Sequence, residues 1–551
     1  MPQFKYNQVQ IDSEAPQTKT SNSKCCRCWG KYIAAIVILL LVALNITFGV
    51  LWGKRVNPFS PTKYAVEKGV IGFPISLPND GTYIEWTFLQ LNDVYEMLPM
   101  DNNRKGGLAR VAHLRKLLLD ENPRTYTFLA GDLISPSALN QAMVNGSELN
   151  GQQMIESFNA IGLDFMTFGN HEFDFGAESV IIQRMDESKF TWISTNVLDR
   201  NTNKPYHTSI QYHVLEIESV RILIFGLTVY VDKPYVRIID DKQLIPFVQQ
   251  FLKSISNVKY DVLVALTHLN IETDKELLEN IPEIDLIIGG HEHQDYHLHR
   301  GSQYSPIYKA DANAFSVYIH RCAFNLDQRR FRIYSTLAFV TPDVQEDENT
   351  RDVVNHWHSL AVDGFKSMGY DIDQVVSCLP DSVELDGRFS SVRNFATLLS
   401  NLTCECMMYA SNDTQTIAGL FDSGSIRNDD IIRGKVTQYD VLRILPYQNP
   451  LYALSVPGQI LAQVLDDGLK EKGRGMYITY GGAIQRNTQD NTWRINGQDI
   501  SKSGLNYNIA TMSYARMNTK LNDTSVIILK TYPITQTKSL IDYLPTKYPP
   551  C

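Results

Sequence analysis

Five short apolar runs between residues 83 and 288 each stop at a group able to bind a cation, and this repetition limits the fold more than any other feature of the chain. Tyr83–Leu91 (YIEWTFLQL) is followed by Asn92 and Asp93, Thr125–Ala130 (TYTFLA) by Gly131 and Asp132, and Phe165–Phe168 by Gly169, Asn170 and His171. Tyr260–Thr267 delivers His268, and Asp285–Ile288 delivers Gly289, Gly290, His291, Glu292 and His293. An apolar run followed by glycine and polar residues is how a buried strand ends in a loop at the rim of a sheet, where α/β proteins place their ligands.

Amphipathic stretches separate these strands. Helices are expected over Gly107–Glu121, Gln152–Ile161, Lys242–Ser256 and Asp274–Asn280, with further strands at Thr191–Thr195 and Arg221–Leu227. The alternation predicts an α/β (α+β) domain over residues 82–341, with a largely buried sheet covered by helices. Residues 342–369 begin acidic and turn helical, as a linker helix does, and residues 370–551 mix strands and helices again as a second domain. Two domains suit a chain of 551 residues, which exceeds a single core. No internal repeat and no Gly-rich phosphate loop interrupts the pattern.

Each strand-end group is ordinary by itself, since Asp after a strand usually serves a turn or a helix cap. Together they form the mixed oxygen and nitrogen set that a two-metal hydrolase uses. His291 and His293, two apart on extended backbone, could point at different metals. The formal charge of -9 and pI near 5.8 give no general attraction to a polyanion, so a nucleic-acid polymer is not expected as a partner.

The order Asp93, Gly131-Asp132, GNHE at 169–172, His268 and GGHEH at 289–293 resembles the calcineurin-like metallophosphoesterases. The longer stretch GNHEFDFG, 169–176, resembles the two-domain 5'-nucleotidase and UDP-sugar hydrolase family in particular. The likeness extends from about Tyr83 to Leu544. It implies a four-layer sandwich followed by an α/β substrate domain of the 5'-nucleotidase type, with two divalent metal ions such as Zn or Mn. By this resemblance Asp132 bridges the metals, Asn170, His268 and His291 complete one site, and Asp93 and His293 serve the other. His171, oriented by Asp174, is then the catalytic pair beside the scissile phosphate, a group suited to stabilising phosphoryl charge or protonating a leaving group.

In the second domain the resemblance assigns Arg388, Arg393 and Arg427 to the phosphate, and Tyr447 and Tyr514 to the two faces of a base. Arginine's planar fork suits bidentate phosphate contact, and a ring pair binds a flat base by stacking. Four positions depart from the family pattern. Its D-x-H is Asp93-Val94-Tyr95 here, so Tyr95 either ligates as phenolate or only lines the site, and phenolate near neutral pH needs strong local positive charge. Asp422 and Ala396 replace an Asn and a Glu, and MNTKLN at 517–522 replaces a Gly-rich loop that holds sugar hydroxyls.

The N-terminus reads separately. Residues 1–31 are polar and aperiodic, a disordered tail, whereas Tyr32–Trp52 carries no charged residue and is about 31 Å long as a helix, enough to span a bilayer. Trp52, Lys54 and Arg55 close it without a small-residue cleavage site, which favours an uncleaved signal anchor followed by a stalk over 53–81. Basic residues flank both ends, so the positive-inside rule does not orient it. Cys25, Cys26 and Cys28 suit S-palmitoylation of a cytosolic tail, and sequons at Asn145, Asn401, Asn412 and Asn522 agree with an extracellular or lumenal remainder. The other five cysteines leave room for one or two disulfides.

The expectation is a membrane-anchored, metal-dependent phosphoester hydrolase acting on 5'-nucleotides such as AMP. Nucleotide sugars, cyclic nucleotides and other small phosphoesters stay open. A noncatalytic surface-binding protein is the competing reading, favoured by Tyr95, Asp422 and Ala396 and opposed by the retained Asp, Asn and His set.

Overall fold

The computed structural model describes residues 69–72, 74–101 and 103–551, and these fall in one compact unit. The expected tail and signal anchor lie outside the described residues, within which no helix is long and apolar enough to cross a membrane.

The first half contains two six-stranded sheets. One runs in the order Arg330–Phe339, Ser316–Asn325, Tyr83–Leu91, Thr125–Ala130, Phe165–Thr167, Thr191–Trp192. The other runs Tyr296–Arg300, Ser305–Lys309, Leu286–Gly289, Val262–His268, Val220–Thr228, Tyr212–Ile217. The alternation of elements led to one buried sheet, whereas the family resemblance implied the four-layer sandwich; alternation shows which segments are strands, but not that six of those between residues 212 and 309 pair in a sheet of their own.

Period-2 burial explains why the two sheets stack. Along Val220–Thr228, Ile222 and Ile224 face inward toward Trp86, Phe88 and Phe128 of the opposite sheet. Leu223, Phe225 and Leu227 face outward into a second core with Leu244, Val248 and Phe251 of the helix Asp241–Ser254. On the far side Leu89, Leu91 and Leu129 pack beneath Leu108, Val111, Leu114 and Leu118 of the helix Leu108–Glu121. The result is helix, sheet, sheet, helix. Burying each such side chain contributes about 1.5–3 kcal/mol, and strands apolar on both faces are stable only in this arrangement.

Parallel pairing aligns the strand ends. Leu91 pairs with Leu129, Ala130 with Thr167, and Thr267 with Gly289, so five polar loops emerge at one rim. The expected strand at Thr191–Thr195 is only Thr191–Trp192, because Thr195 N–H donates instead to Gly226 O of the opposite sheet at 2.7 Å. The expected strand Tyr260–Thr267 is displaced to Val262–His268, which puts His268 itself on the strand.

The helix Glu348–Ser367, capped by Asp347 accepting from Thr350 N at 2.9 Å, packs on the first half. Beyond it a five-stranded sheet runs in the order Ile478–Gly482, Ala418–Asp422, Asn506–Met512, Pro450–Pro457, Ile527–Thr535. Two cores flank it, one of them under the helices Leu398–Ala410 and Gln536–Lys547. Cys378 and Cys551 form a disulfide, while Cys322, Cys404 and Cys406 are buried thiols. The halves meet over Glu96, which accepts from Tyr439 Oη at 2.7 Å and lies 3.6 Å from Arg443.

Candidate metal centre and anion site

The strand ends converge as follows. His268 Nε2 lies 3.2 Å from Asp132 Oδ2, 3.3 Å from Asn170 Oδ1 and 3.2 Å from His291 Nδ1. His293 Nε2 lies 3.3 Å from Asp93 Oδ1 and 3.0 Å from the Tyr95 hydroxyl, which in turn donates to Asp132 Oδ2 at 2.9 Å. One ligand atom from each of Asp93, Asp132 and His293 lies within 4.8 Å of the others, and all three residues are buried.

Backbone strain concentrates at this rim. Asp93, Asp132, His291 and His293 hold φ of 52°, 59°, 92° and 60°, a region that side-chain-bearing residues rarely adopt and that must be enforced by their surroundings. Glu172 enforces part of it: one carboxylate oxygen accepts from Asp132 N and Gly169 N at 3.0 and 2.5 Å, the other from Leu133 N and Ile134 N at 2.6 and 3.2 Å. Buried Lys309 holds the backbone just before His291, donating to Leu269 O and Gly290 O at 2.6 and 2.8 Å while paired with Asp274 and Glu292. Its ammonium therefore ties the His268 loop to the His291 loop. The glycines of the motifs answer to close approach: a Cβ on Gly169 would stand 2.1 Å from Asp132 Oδ1, and one on Gly290 2.3 Å from Ala130 O.

The electrostatics are those of a cation site. Burial opposes ionisation of Asp93, but His268 and His293 outweigh it and hold the carboxyl down to about 2. Burial likewise opposes a charge on His268, yet Asp132 and Asp93 push it up to about 10. Two buried carboxylates this close demand positive charge. His291 is pushed well below the usual imidazole range by burial and by His268, which leaves it neutral. His268 Nδ1 donates to Ala130 O at 2.7 Å and turns Nε2 inward. These buried oxygens and nitrogens fit divalent metal ions. Tyr95 is the exception: burial first, then Asp132 and Asp93, raise its phenol well above 10, so the neutral hydroxyl is a hydrogen-bond donor to the carboxylates.

Beside this cluster lies a candidate anion site. His171 N–H donates to Asp132 Oδ1 at 2.8 Å, its Nδ1 is 2.8 Å from Asp174 Oδ2, and Arg427 Nη2 donates to its Nε2 at 2.8 Å. The Arg393 and Arg427 guanidinium carbons stand 3.6 and 4.9 Å from the Phe389 ring centroid, and Arg427 stands 5.9 Å from that of Tyr95. The Nε of each is buried without a hydrogen-bond partner. Burial and the neighbouring Arg427 push Arg393 down to about 10, a like-charge pair that an anion would relieve. Arg388, expected with them, is instead half-exposed and bound to Asp386 at 2.8 Å. Tyr447 is half-buried, with its hydroxyl 3.5 Å from Asp174 Oδ2, and Tyr514 is 47% exposed at the same mouth, each affected by the charge of Asp174.

Sequence reading missed the work of Glu172, Lys309, Phe389 and Asp429. Lys309 carries a signal, a lone cation in the apolar run SPIYKA at 305–310. Asp429, whose carboxylate is 2.9 Å from His293 Nδ1, carries none beyond standing two residues after Arg427.

Comparison with known proteins agrees with this geometry. The calcineurin-like phosphoesterase family model matches residues 87–295, and the 5'-nucleotidase C-terminal domain model matches residues 381–522. The trifunctional nucleotide phosphoesterase protein YfkN of Bacillus subtilis is 24% identical over 445 residues, covering 74% of this chain and 29% of its own length. The 5'-nucleotidase of Bos taurus is 22% identical over 458 residues, covering 74% of this chain and 77% of its own. The crystal structure of a 5'-nucleotidase precursor from Thermus thermophilus shares the fold with a TM-score of 0.69 at 18% identity, covering 84% of this chain and 97% of that one. With both domains present in this order, the chain belongs to the two-domain calcineurin-like metallophosphoesterases that carry a 5'-nucleotidase C-terminal domain, a family of metal-dependent phosphoester hydrolases.

Proposed function

We propose that this protein hydrolyses the phosphate ester of 5'-nucleotides, with two divalent cations held by Asp93, Asp132, Asn170, His268, His291 and His293. The observation that carries the reading is the abutment of a cation site on an anion site: Arg427 touches His171, whose backbone N–H touches Asp132. A phosphoryl group between them would have the cation-holding residues on one side and two guanidiniums on the other.

When bound, the cations supply Lewis acidity and activate the attacking water. The chain's residues do the rest. Arg393 and Arg427 bind and orient the phosphate, which favours in-line attack by fixing the reacting geometry. Asp174 accepts the Nδ1–H hydrogen bond of His171 at 2.8 Å and directs Nε2 at the anion site. When Arg427 turns from Nε2 to the phosphate and Nε2 takes up a proton from solvent, that Nε2–H would stabilise charge or pass its proton to the departing oxygen. Two partly exposed rings at the mouth, Tyr447 and Tyr514, favour a nucleoside leaving group held by stacking, and the name 5'-nucleotidase borne by relatives supports the same substrate class.

We place this activity on the extracellular or lumenal side of a membrane, anchored through residues 32–52. The uncharged run, the four exposed sequon asparagines and the Cys378–Cys551 disulfide support that placement.

The test is phosphate release by the purified full chain from AMP and from a chromogenic phosphoester, in chelator and with added Mn or Zn. Metal-dependent turnover with preference for AMP is expected. Absence of turnover with either metal would sink the enzymatic reading, and equal rates on both esters would remove the nucleoside-stacking role of Tyr447 and Tyr514.

A further inference from the structure

His293 has a partner that no other strand-end residue has. Its Nδ1 lies 2.9 Å from Asp429 Oδ2, a carboxylate 136 residues away in the second half of the chain. The second oxygen of Asp429 accepts from Phe389 N at 2.7 Å, and the Phe389 ring packs on the imidazole with centroids 4.5 Å apart at 34°. Asp429 and Phe389 thus grip the outer face of a side chain whose inner atom, Nε2, points at Asp93.

An ionised carboxylate only accepts hydrogen bonds, so the shared proton stands on Nδ1 and Nε2 keeps its lone pair. A carboxylate behind a ligating imidazole fixes the tautomer and strengthens the ligand. The contrast with His268 is informative, because His268 Nδ1 is held by Ala130 O from within the first half. The dependence on Asp429 is sharpened by the side chain at position 95, a phenol and not an imidazole, which leaves His293 as the imidazole nearest Asp93 Oδ1, at 3.3 Å against 3.9 Å for His268.

We propose that Asp429 is a positioning residue of the metal centre, through which the second half of the chain raises cation retention at His293. This rests on the reading of His293 as a metal ligand. It makes the segment Arg427–Asp429 a single device acting on both histidines of the site, with Arg427 on His171 and Asp429 on His293.

The experiment compares the full chain with Asp429→Asn, Asp429→Ala and His293→Ala. Equilibrium dialysis against Mn and against Zn with elemental analysis reads metal affinity, thermal melting in chelator reads the metal-free fold, and kcat and KM are taken at limiting and saturating metal. In Asp429→Asn the amide oxygen can still serve Phe389 N, while its NH2 faces Nδ1 and drives the ring proton to Nε2. One metal equivalent is expected to weaken by about 10–100-fold. Melting in chelator should be unchanged, and kcat should fall at limiting metal with little change in KM and recover with excess metal. Wild-type affinity in both Asp429 variants, with an equivalent lost in His293→Ala, overturns the proposal, as does a drop in metal-free melting that accompanies the loss. Full metal retention in His293→Ala would instead remove the metal-ligand reading beneath it.

Discussion

Arg427 Nη2 donates to His171 Nε2 at 2.8 Å across 256 residues of sequence, and this bond fixes which nitrogen of the imidazole carries its proton. A guanidinium only donates, so Nε2 accepts and the proton stands on Nδ1, toward Asp174. Burial opposes a charge on Asp174, but His171 and Ser135 hold its carboxyl below the usual range, ready to accept that proton as a hydrogen bond.

Replacing His171 with alanine is expected to lower kcat by about 10²–10⁴, the usual contribution of a positioned acid–base group. Asp174→Asn should lower it in the same direction, because the amide no longer favours the Nδ1 proton. Both variants should keep the metal content of the wild type, since neither ring nitrogen of His171 is aimed at Asp93 or Asp132. Steady-state kinetics beside elemental analysis checks this, and loss of metal would count against the division of labour between His171 and the cluster.

Arg393→Ala and Arg427→Ala each remove a guanidinium whose buried Nε has no hydrogen-bond partner among the described residues. Hydrogen bonds to charged groups are worth about 1.5–3 kcal/mol, which predicts a fall of about 10–150-fold in kcat/KM for each. Arg427→Lys should recover little, because a point charge does not reproduce the fork. Inhibition by inorganic phosphate should weaken in parallel; unchanged inhibition would place the anion elsewhere.

Tyr95→His puts an imidazole among Asp93, Asp132 and His293 and is expected to tighten metal retention by about tenfold or more, measured by competition with a chelator. Tyr95→Phe removes the hydroxyl that donates to Asp132 at 2.9 Å but no ligand the cations need, so activity should stay within about tenfold of wild type. Abolished metal binding in Tyr95→Phe would show that the phenol ligates.

Asp422 is buried, with one oxygen accepting from Ser425 Oγ at 2.9 Å and the other unpartnered, and burial raises its carboxyl to about 7. Between pH 4 and 7 the unfolded chain has released this proton while the folded chain retains it, so stability falls as pH rises and the full penalty stands above about pH 7. Asp422→Asn carries no such penalty. Its melting temperature relative to wild type should be least favourable near pH 4 and rise steadily to pH 8, by a free energy of up to about 4 kcal/mol at 1.36 kcal/mol per pK unit. A flat difference across that range would mean that Asp422 is ionised throughout.

Much of the first half was legible along the chain. Tyr83–Leu91, Thr125–Ala130 and Gln152–Ile161 occupy the bounds their periodicity predicts, because a side chain's burial follows the repeat of its own element. The division into two sheets was legible only through the family resemblance and not in the periodicity, since strand pairing joins residues such as Val264 and Leu286 through backbone bonds that leave no mark on side-chain pattern. Arg388 and Arg393 look alike in LDGRFSSVR, yet Asp386 draws one to the surface while Phe389 holds the other inside.

Chemistry that sits at strand ends was determined by the sequence itself, because a parallel sheet gathers the ends of its strands whatever their loops contain. That is why Asp93, Asp132, Asn170, His268, His291 and His293 could be nominated from order and spacing alone. Only the tertiary structure decided which groups hold those residues in place: Lys309 between two loops, Glu172 beneath strained backbone, and Asp429 and Arg427 reaching His293 and His171 from the other half. Such contacts depend on packing between distant segments, and in a low-dielectric interior a charge finds its partner by proximity in space rather than by position in the chain.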